Sequence, residues 1–183
     1  MLTFDIDLTA LQIAADGIGV SDKVFKAMIA RACKRTAATL RKMSGQKLRS
    51  ELELRTLGSL RRRLKAISIR GSMPGSGLWY GLNDLPVSAF KGRPRNTKDG
   101  AKKGNVEITG GFVGKTKAGK ATIFKRAGAA RLPIREQTID IKTRADDIIE
   151  RQIFADVERI FWGHFERDLR AREKYKKVSE RWQ

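Results

Sequence analysis

The chain has 183 residues and a formal net charge of +19, with 39 Lys and Arg against 20 acids. One cysteine, Cys33, excludes an internal disulfide and a multi-cysteine zinc site, and one histidine, His164, excludes a multi-histidine metal cluster. No apolar run approaches the roughly 20 residues that span a bilayer, and no secretory signal is recognisable. We therefore expect a soluble protein made in a cytoplasm, with no membrane contact, metal or cofactor.

The chain is expected to form one α+β domain over residues 1–174, followed by a tail over residues 175–183. Its first element is predicted to be a strand within residues 1–10, because apolar and polar residues alternate from Leu2 to Leu8. The predicted architecture has N-terminal amphipathic helices, a twisted antiparallel β-sheet with long basic hairpin loops, and a long C-terminal helix packed on the sheet.

The second predicted element is a basic amphipathic helix. Apolar residues recur at three-and-four spacing after Ser21, the expected N-cap, as far as Met43. The sequence Ser44-Gly45 is expected to end or kink this helix. Cys33 lies on the apolar stripe, which predicts a small core residue and not a reactive thiol.

One or two shorter helices are predicted over residues 46–54 and 57–64. They contain Arg61, Arg62 and Arg63, which wrap most of a helix turn and cannot all be buried. These arginines either form a solvated face or contact a phosphate or an acidic partner, and the sequence leaves both alternatives open.

From Ala66 the pattern becomes typical of β-structure. Short apolar segments alternate or follow turn residues, which predicts extended segments at residues 66–69, 78–82, 86–90 and 106–108. Residues 91–104 contain six bases, one acid and three glycines. That composition predicts a mobile basic loop or hairpin tip that becomes ordered on assembly.

The most distinctive stretch is residues 110–136, with seven Lys or Arg and a single acid, Glu136. Two short β-prone runs flank a turn containing Gly119, which predicts a basic hairpin over residues 110–127. The Leu-Pro-Ile sequence after it predicts a further extended segment. Gly114-Lys115-Thr116 resembles the end of a P-loop, but the required first glycine and following helix are missing, so we favour the hairpin.

The C-terminal region is predicted to form a long amphipathic helix from Ala145 to about Arg172, with Thr143 as N-cap. Its apolar residues recur every four positions. His164 lies beside two phenylalanines of this stripe, which favours a packed imidazole over a metal ligand. Trp182 in the tail is typical of an anchor for a partner subunit.

The composition also limits the classes of partner and activity that we expect. A strongly basic chain favours nucleic acid, an anionic membrane or an acidic protein as partner. No zinc-finger, RNP or helix-turn-helix signature is present, and no aromatic platform interleaves with the bases. The acids do not cluster into a catalytic grouping, and a Cys33–His164 pair has no support, so we expect no enzymatic activity and no catalytic residues.

The region from residue 20 to 172 resembles the minor tail protein Z family, the tail-completion proteins of long-tailed phages. The resemblance rests on the order of four motifs: an apolar strand at residues 111–113, a basic glycine turn at 117–120, a strand at 123–126 and the sequence RLPIRE at 131–136. The Ala/Arg-rich first helix, the Leu-Pro segment at 85–90 and the closing helix agree in position.

The resemblance implies a structural virion protein, assembled in the host cytoplasm, that completes the head-proximal end of the tail. It implies a homo-oligomeric ring, six-fold, around the DNA channel. Its partners would be the tail terminator or tail tube and the head connector on the portal side, with non-specific contact to genomic DNA. The expected contact residues are basic, except the last: Arg61, Arg62, Arg63, Lys91, Arg93, Arg95, Lys102, Lys103, Lys115, Lys117, Lys120, Lys125, Arg126 and Trp182.

Overall fold

The computed structural model describes residues 8–17, 19–69 and 75–180. These residues group into two compact units. We call the first the helical unit, which comprises Met1–Ser44, Leu64–Tyr80 and Ile149–Gln183. We call the second the β unit, which comprises Gly45–Arg63 and Gly81–Ile148.

The described residues form five α-helices and ten short strands. The helices are α1 (Leu8–Asp16), α2 (Asp22–Glu51), α3 (Gly58–Arg61), α4 (Lys142–Ile148) and α5 (Val157–Glu180). The strands are β1 (Leu64–Ile69), β2 (Gly75–Tyr80), β3 (Leu85–Pro86), β4 (Arg95–Asn96), β5 (Gly100–Lys103), β6 (Val106–Thr109), β7 (Gly111–Lys115), β8 (Ala121–Arg126), β9 (Ile134–Glu136) and β10 (Thr138–Ile139).

The helical unit is held by the apolar stripes of α1, α2 and α5. Phe25 of α2 meets Phe165 of α5 edge-to-face with ring centroids 6.4 Å apart, and Phe161 stacks on Phe165 at 6.2 Å. Leu11 and Ala15 of α1 complete this cluster and are fully buried. The helix stripes predicted from three-and-four spacing therefore form the core of this unit.

A second cluster in the helical unit joins the helices to a two-stranded ribbon. Leu78 of β2 packs against Leu40, Ile153 and Val157. At the end of the same strand, the Tyr80 hydroxyl lies 2.8 Å from the Ser44 hydroxyl. β1 and β2 pair antiparallel from Leu64–Tyr80 to Ile69–Gly75.

The β unit contains two three-stranded antiparallel sheets, ordered β4-β5-β6 and β7-β8-β9, and the short pair β3-β10. One buried cluster of this unit consists of Val87, Ala101 and Ile123, each completely buried. Ile108 of β6, Val113 of β7 and Ile139 of β10 pack against them, so the small sheets of this unit share one apolar centre.

The fold is α+β, with helices near the N-terminus, small antiparallel sheets and a long C-terminal helix. Four small sheets replace the single predicted sheet in the described residues. The predicted N-terminal strand is wrong from Leu8 onward, because Leu8–Asp16 is the helix α1. Its earlier part, residues 1–7, lies outside the described residues.

Ser44-Gly45 was predicted to end or kink the first helix, and the predicted end is wrong, because α2 continues to Glu51. The Ser44 hydroxyl donates to the Leu40 carbonyl at 2.7 Å and also bonds with the Tyr80 hydroxyl. It is therefore not available to cap a helix end at this position. Tertiary packing here overcomes the helix-breaking tendency of a single glycine, which costs about 1 kcal/mol.

The predicted continuous C-terminal helix is interrupted between α4 and α5 by a π-helical segment, Ile149–Ile153, and a 3₁₀ turn, Phe154–Asp156. Its apolar residues recur every four positions, and four α-helical residues turn about 40° past a full circle. The wider π segment turns less per residue, and Ile149 and Ile153 within it are both buried. Asp140, not Thr143, caps α4, since its carboxylate accepts from the Lys142 amide at 2.8 Å.

Candidate functional site: the basic hairpin of the β unit

The predicted hairpin is confirmed as β7 and β8, whose register runs from Gly111 opposite Lys125 to Lys115 opposite Ala121. The connecting turn is closed by the Thr116 amide donating to the Lys120 carbonyl at 2.9 Å. Gly119 has a φ of 73°, a left-handed conformation that a side chain would strain, which explains a glycine at this place.

The two faces of the hairpin have different roles. Val113 and Ile123 face each other in the register and pack in the apolar centre of the β unit. On the opposite face, Phe112 and Phe124 lie side by side with ring centroids 6.2 Å apart. A Cβ on Gly114 would lie 2.8 Å from the Phe124 ring, so the glycine makes room for the aromatic pair.

The five cationic side chains of the hairpin are exposed to solvent. Within the part of the chain that the structure describes, none of them forms an ion pair. They are Lys115, Lys117, Lys120, Lys125 and Arg126. By residue count, the β unit carries 21 Lys and Arg against nine acids, a net +12 of the chain's +19. The hairpin therefore presents uncompensated positive charge on a rigid two-stranded support.

Beneath the hairpin, Glu136 anchors the third strand of the sheet. Its carboxylate accepts from the Thr122 hydroxyl at 2.6 Å and from the Ser88 amide at 3.1 Å. Burial tends to raise the pKa of Glu136, but these hydrogen bonds and the nearby Lys103 ammonium outweigh it and hold the pKa below its ordinary value. Glu136, the only acid of residues 110–136, therefore uses its carboxylate for hydrogen bonds within the protein.

Lys103 was predicted to be a contact residue, but the structure buries it. Only 5% of the residue is exposed, and its ammonium donates to the carbonyls of Val87 at 2.7 Å and Phe90 at 2.9 Å. Burial, together with the Arg55 guanidinium, lowers its pKa to about 8. Two consecutive lysines on a strand point to opposite faces, so one of Lys102 and Lys103 had to turn inward.

The segment that Lys103 holds, residues 91–104, was predicted as a mobile basic loop or a hairpin tip, and the antiparallel pairing of β4 with β5 agrees with the hairpin. Residues 91–104 contain β4 and β5, and Ala101 is completely buried. Arg55 supports the start of this segment, donating to the carbonyls of Phe90 at 2.8 Å and Gly92 at 3.1 Å. Sequence reasoning missed the role of Arg55, because its partner Phe90 lies 35 residues later in the chain and only folding brings the two together.

The remaining predicted contact residues divide into two groups. The side chains of Arg61, Arg62, Lys91, Arg93, Arg95 and Lys102 are exposed. Arg63 is half-buried, and its guanidinium donates to the backbone carbonyls of Asn83 and Asp84. Trp182 lies outside the described residues. The structure thus gathers the exposed group in the β unit and uses Arg63 for internal support.

The chemistry-bearing residues of the helical unit are packed. The His164 Nε2 atom lies 3.2 Å from the Thr39 hydroxyl. Burial, then the Arg167 and Arg35 charges, lowers the pKa of His164. Burial raises the pKa of the Cys33 thiol, which disfavours the reactive thiolate.

Within the described ranges, His, Cys, Asp and Glu side chains form no group of three that could hold a metal ion. No described helix has both the length and the apolar composition needed to cross a bilayer. No protein family, curated protein or solved structure matches the chain. The fold and the charge distribution define a basic α+β protein with an exposed cationic hairpin.

Proposed function

We propose that the chain is a structural protein of a phage virion that completes the head-proximal end of the tail. In this proposal several copies form a ring, six-fold, around the DNA channel, between the tail tube or its terminator and the head connector. The basic hairpin contacts acidic neighbouring subunits or the DNA. No reaction centre is needed for this role.

One observation carries the proposal: the motifs that resemble tail-completion proteins form one continuous structure. The strand at 111–113, the turn at 117–120, the strand at 123–126 and the segment at 134–136 are consecutive pieces of the sheet β7-β8-β9. Its cations are exposed, Val113 and Ile123 pack inward, and Phe112 and Phe124 lie half-exposed on the opposite face. A rigid support with projecting cations is suited to gripping an acidic partner, because the support limits the entropy lost on binding.

The test is charge reversal at the hairpin tip. Replacing Lys115, Lys117 and Lys120 with glutamate should leave the protein folded, because all three side chains are exposed. We expect the yield of infectious particles to fall at least about ten-fold, with heads and tails accumulating separately, since reversed charges at an interface repel. Electron microscopy of lysates and a plaque assay measure both effects.

A matched control has the same change in charge elsewhere. Lys23, Lys26 and Lys42 are exposed on α2 in the helical unit. Their replacement with glutamate should leave head–tail joining intact. Normal particle yields from the hairpin variant, or equal losses in both variants, would contradict a specific contact by the hairpin.

A second function, non-specific nucleic-acid binding, is favoured by the Phe112–Phe124 pair. The two half-exposed rings lie on the same sheet face as Arg126, and aromatic rings beside cations are suited to base stacking. This function predicts that the isolated chain binds DNA with strong salt dependence. Five phosphate contacts would give a slope of about −4.5 in a plot of log binding constant against log salt concentration. A flat salt response would remove this candidate.

A further inference from the structure

The edge of the sheet β7-β8-β9 offers a place for one more strand. Among the residues that the structure describes, β9 pairs only with β8, through Lys125 opposite Arg135 and Arg126 opposite Ile134. The Ala127 amide donates to the Pro133 carbonyl, so the alternation of an antiparallel ladder turns the backbone N–H and C=O of Ile134 away from β8. These outward groups are a template for pairing with another chain.

The side chains of this edge are both apolar and basic. Leu132 is 67% exposed and Ile134 is 41% exposed, high values for large apolar residues. Ile134 lies on the sheet face that carries Phe124. Arg135 lies on the other face, directly opposite Lys125 on β8. A strand added here would therefore meet Ile134 and Glu136, whose carboxylate is already bonded to Thr122 and Ser88, on one face and Arg135 on the other.

The chain itself contains a segment with the matching pattern. In residues 1–7, Leu2, Phe4 and Ile6 alternate with polar residues that include Asp5 and Asp7. An extended chain would present its apolar residues on one face and its acids on the other. This segment is also the acidic exception in a basic protein, since the first Lys or Arg of the sequence is at position 23.

We propose that residues 1–7 of a second copy add as a strand to the outer edge of β9. Phe4 and Ile6 then lie on the face of Ile134, and Asp5 lies on the face of Arg135, where opposite charges on neighbouring strands attract. The main-chain hydrogen bonds supply affinity, and the alternating side chains specify the register.

The choice of a second copy rests on the proposed ring. A contact from one segment of each subunit to a different surface of the next is heterologous, and such contacts generate rings when the rotation closes. Copies that each carry +19 repel one another, so an acidic segment against a basic edge gives the ring a contact that offsets this repulsion.

Photo-crosslinking of the full chain tests the pairing. Phe4 is replaced by p-benzoylphenylalanine in an equal mixture of ¹⁴N- and ¹⁵N-labelled protein, which is irradiated and analysed by mass spectrometry. We expect crosslinks to residues 131–136, with about half of the linked peptides carrying mixed isotopes, as random exchange between copies requires. Crosslinks of unmixed mass, crosslinks elsewhere or none at all would overturn the inference.

A charge swap provides an independent measurement. Replacing Asp5 and Asp7 with lysine should weaken association about ten-fold by sedimentation, because the attraction of the two acids to the face of Arg135 and Lys125 becomes repulsion. Replacing Lys125 and Arg135 with aspartate should weaken it similarly, and combining both changes should restore it. The control replaces Glu150 and Glu158, which are exposed in the helical unit, with lysine and should leave association unchanged.

The two proposals can fail separately. If the chain occupies the phage neck but the swap does not restore association, the strand pairing is wrong and the tail-completion role stands. If the swap restores association in a protein that finished virions lack, the pairing stands and the tail-completion role is wrong.

Discussion

The buried Lys103 ammonium should make the stability of the β unit rise with pH in a range where most proteins change little. The pKa of Lys103 is lowered from 10.5 to about 8 in the folded chain, because burial disfavours its charge. Between those values the unfolded chain binds a proton that the folded chain does not, so raising the pH favours folding. Below pH 8 both states are protonated, and this dependence ends.

Linkage gives the size of the effect. With those two pKa values, the free energy of unfolding should increase by roughly 2 to 3 kcal/mol between pH 7 and pH 10 from this group alone. Replacing Lys103 with methionine removes the titrating group and keeps an apolar stem of similar length. The gain between pH 7 and pH 10 should then disappear, although loss of the bonds to the Val87 and Phe90 carbonyls lowers stability at neutral pH.

Equilibrium urea unfolding, followed by far-ultraviolet circular dichroism at pH 7, 8, 9 and 10, measures the difference. The control replaces Lys102, the exposed neighbour on the other face of β5, with methionine and should keep the wild-type pH dependence. The Tyr80 and Cys33 pKa values, both raised by burial, affect all three proteins alike. Equal pH dependence in the wild type and the Lys103 variant would refute the assignment.

Three further predictions concern other parts of the structure. Gly100→Ala should destabilise the β unit by about 3 kcal/mol or more, measured by chemical denaturation, because a Cβ at position 100 would overlap the Ile108 carbonyl. The control Gly128→Ala should have little effect, because the space around Gly128 is open. Asp168→Asn should lower the free energy of unfolding by about 1 kcal/mol, because Arg31 donates to the Asp168 carboxylate at 2.6 and 3.1 Å in a partly exposed site. A change smaller than the error of a urea titration would contradict this prediction. His164→Gln should reduce the loss of stability below pH 6.5, because the pKa of His164 is lowered in the folded chain and the unfolded chain therefore binds the proton first. Thermal melts from pH 7 to pH 4.5 measure this loss. The same dependence of melting temperature on pH in the variant and the wild type would contradict the prediction.

Helix faces and the basic hairpin were predictable from the sequence because they depend on local periodicity. In the stripe from Phe25 to Leu40 the predicted apolar residues are buried except Cys33, which is half-buried, and every fourth residue from Ile149 to Phe165 is buried. Both follow from the fixed number of residues per turn. The hairpin over residues 110–127 was predictable because β-prone runs around a glycine turn pair with their neighbours along the chain.

Element ends were less predictable because partners distant in the sequence determine them. Ser44-Gly45 has the composition of a helix end, yet the Tyr80 hydroxyl, 36 residues away, bonds with Ser44 inside a continuing helix. The π segment after Ile148 was not predictable from the four-residue spacing of the stripe, because the same spacing continues through the regular α-helix α5.

The amino-acid sequence alone determined the excess of positive charge, the apolar stripes and the order of strands around the basic turn. Tertiary structure decided which cations remain available to a partner. Lys102 and Lys103 are adjacent and chemically identical, but strand pairing directs one to solvent and the other beneath the 87–90 turn, where two carbonyls receive its ammonium. Composition counts charges, whereas burial and hydrogen bonding depend on residues that only folding brings together.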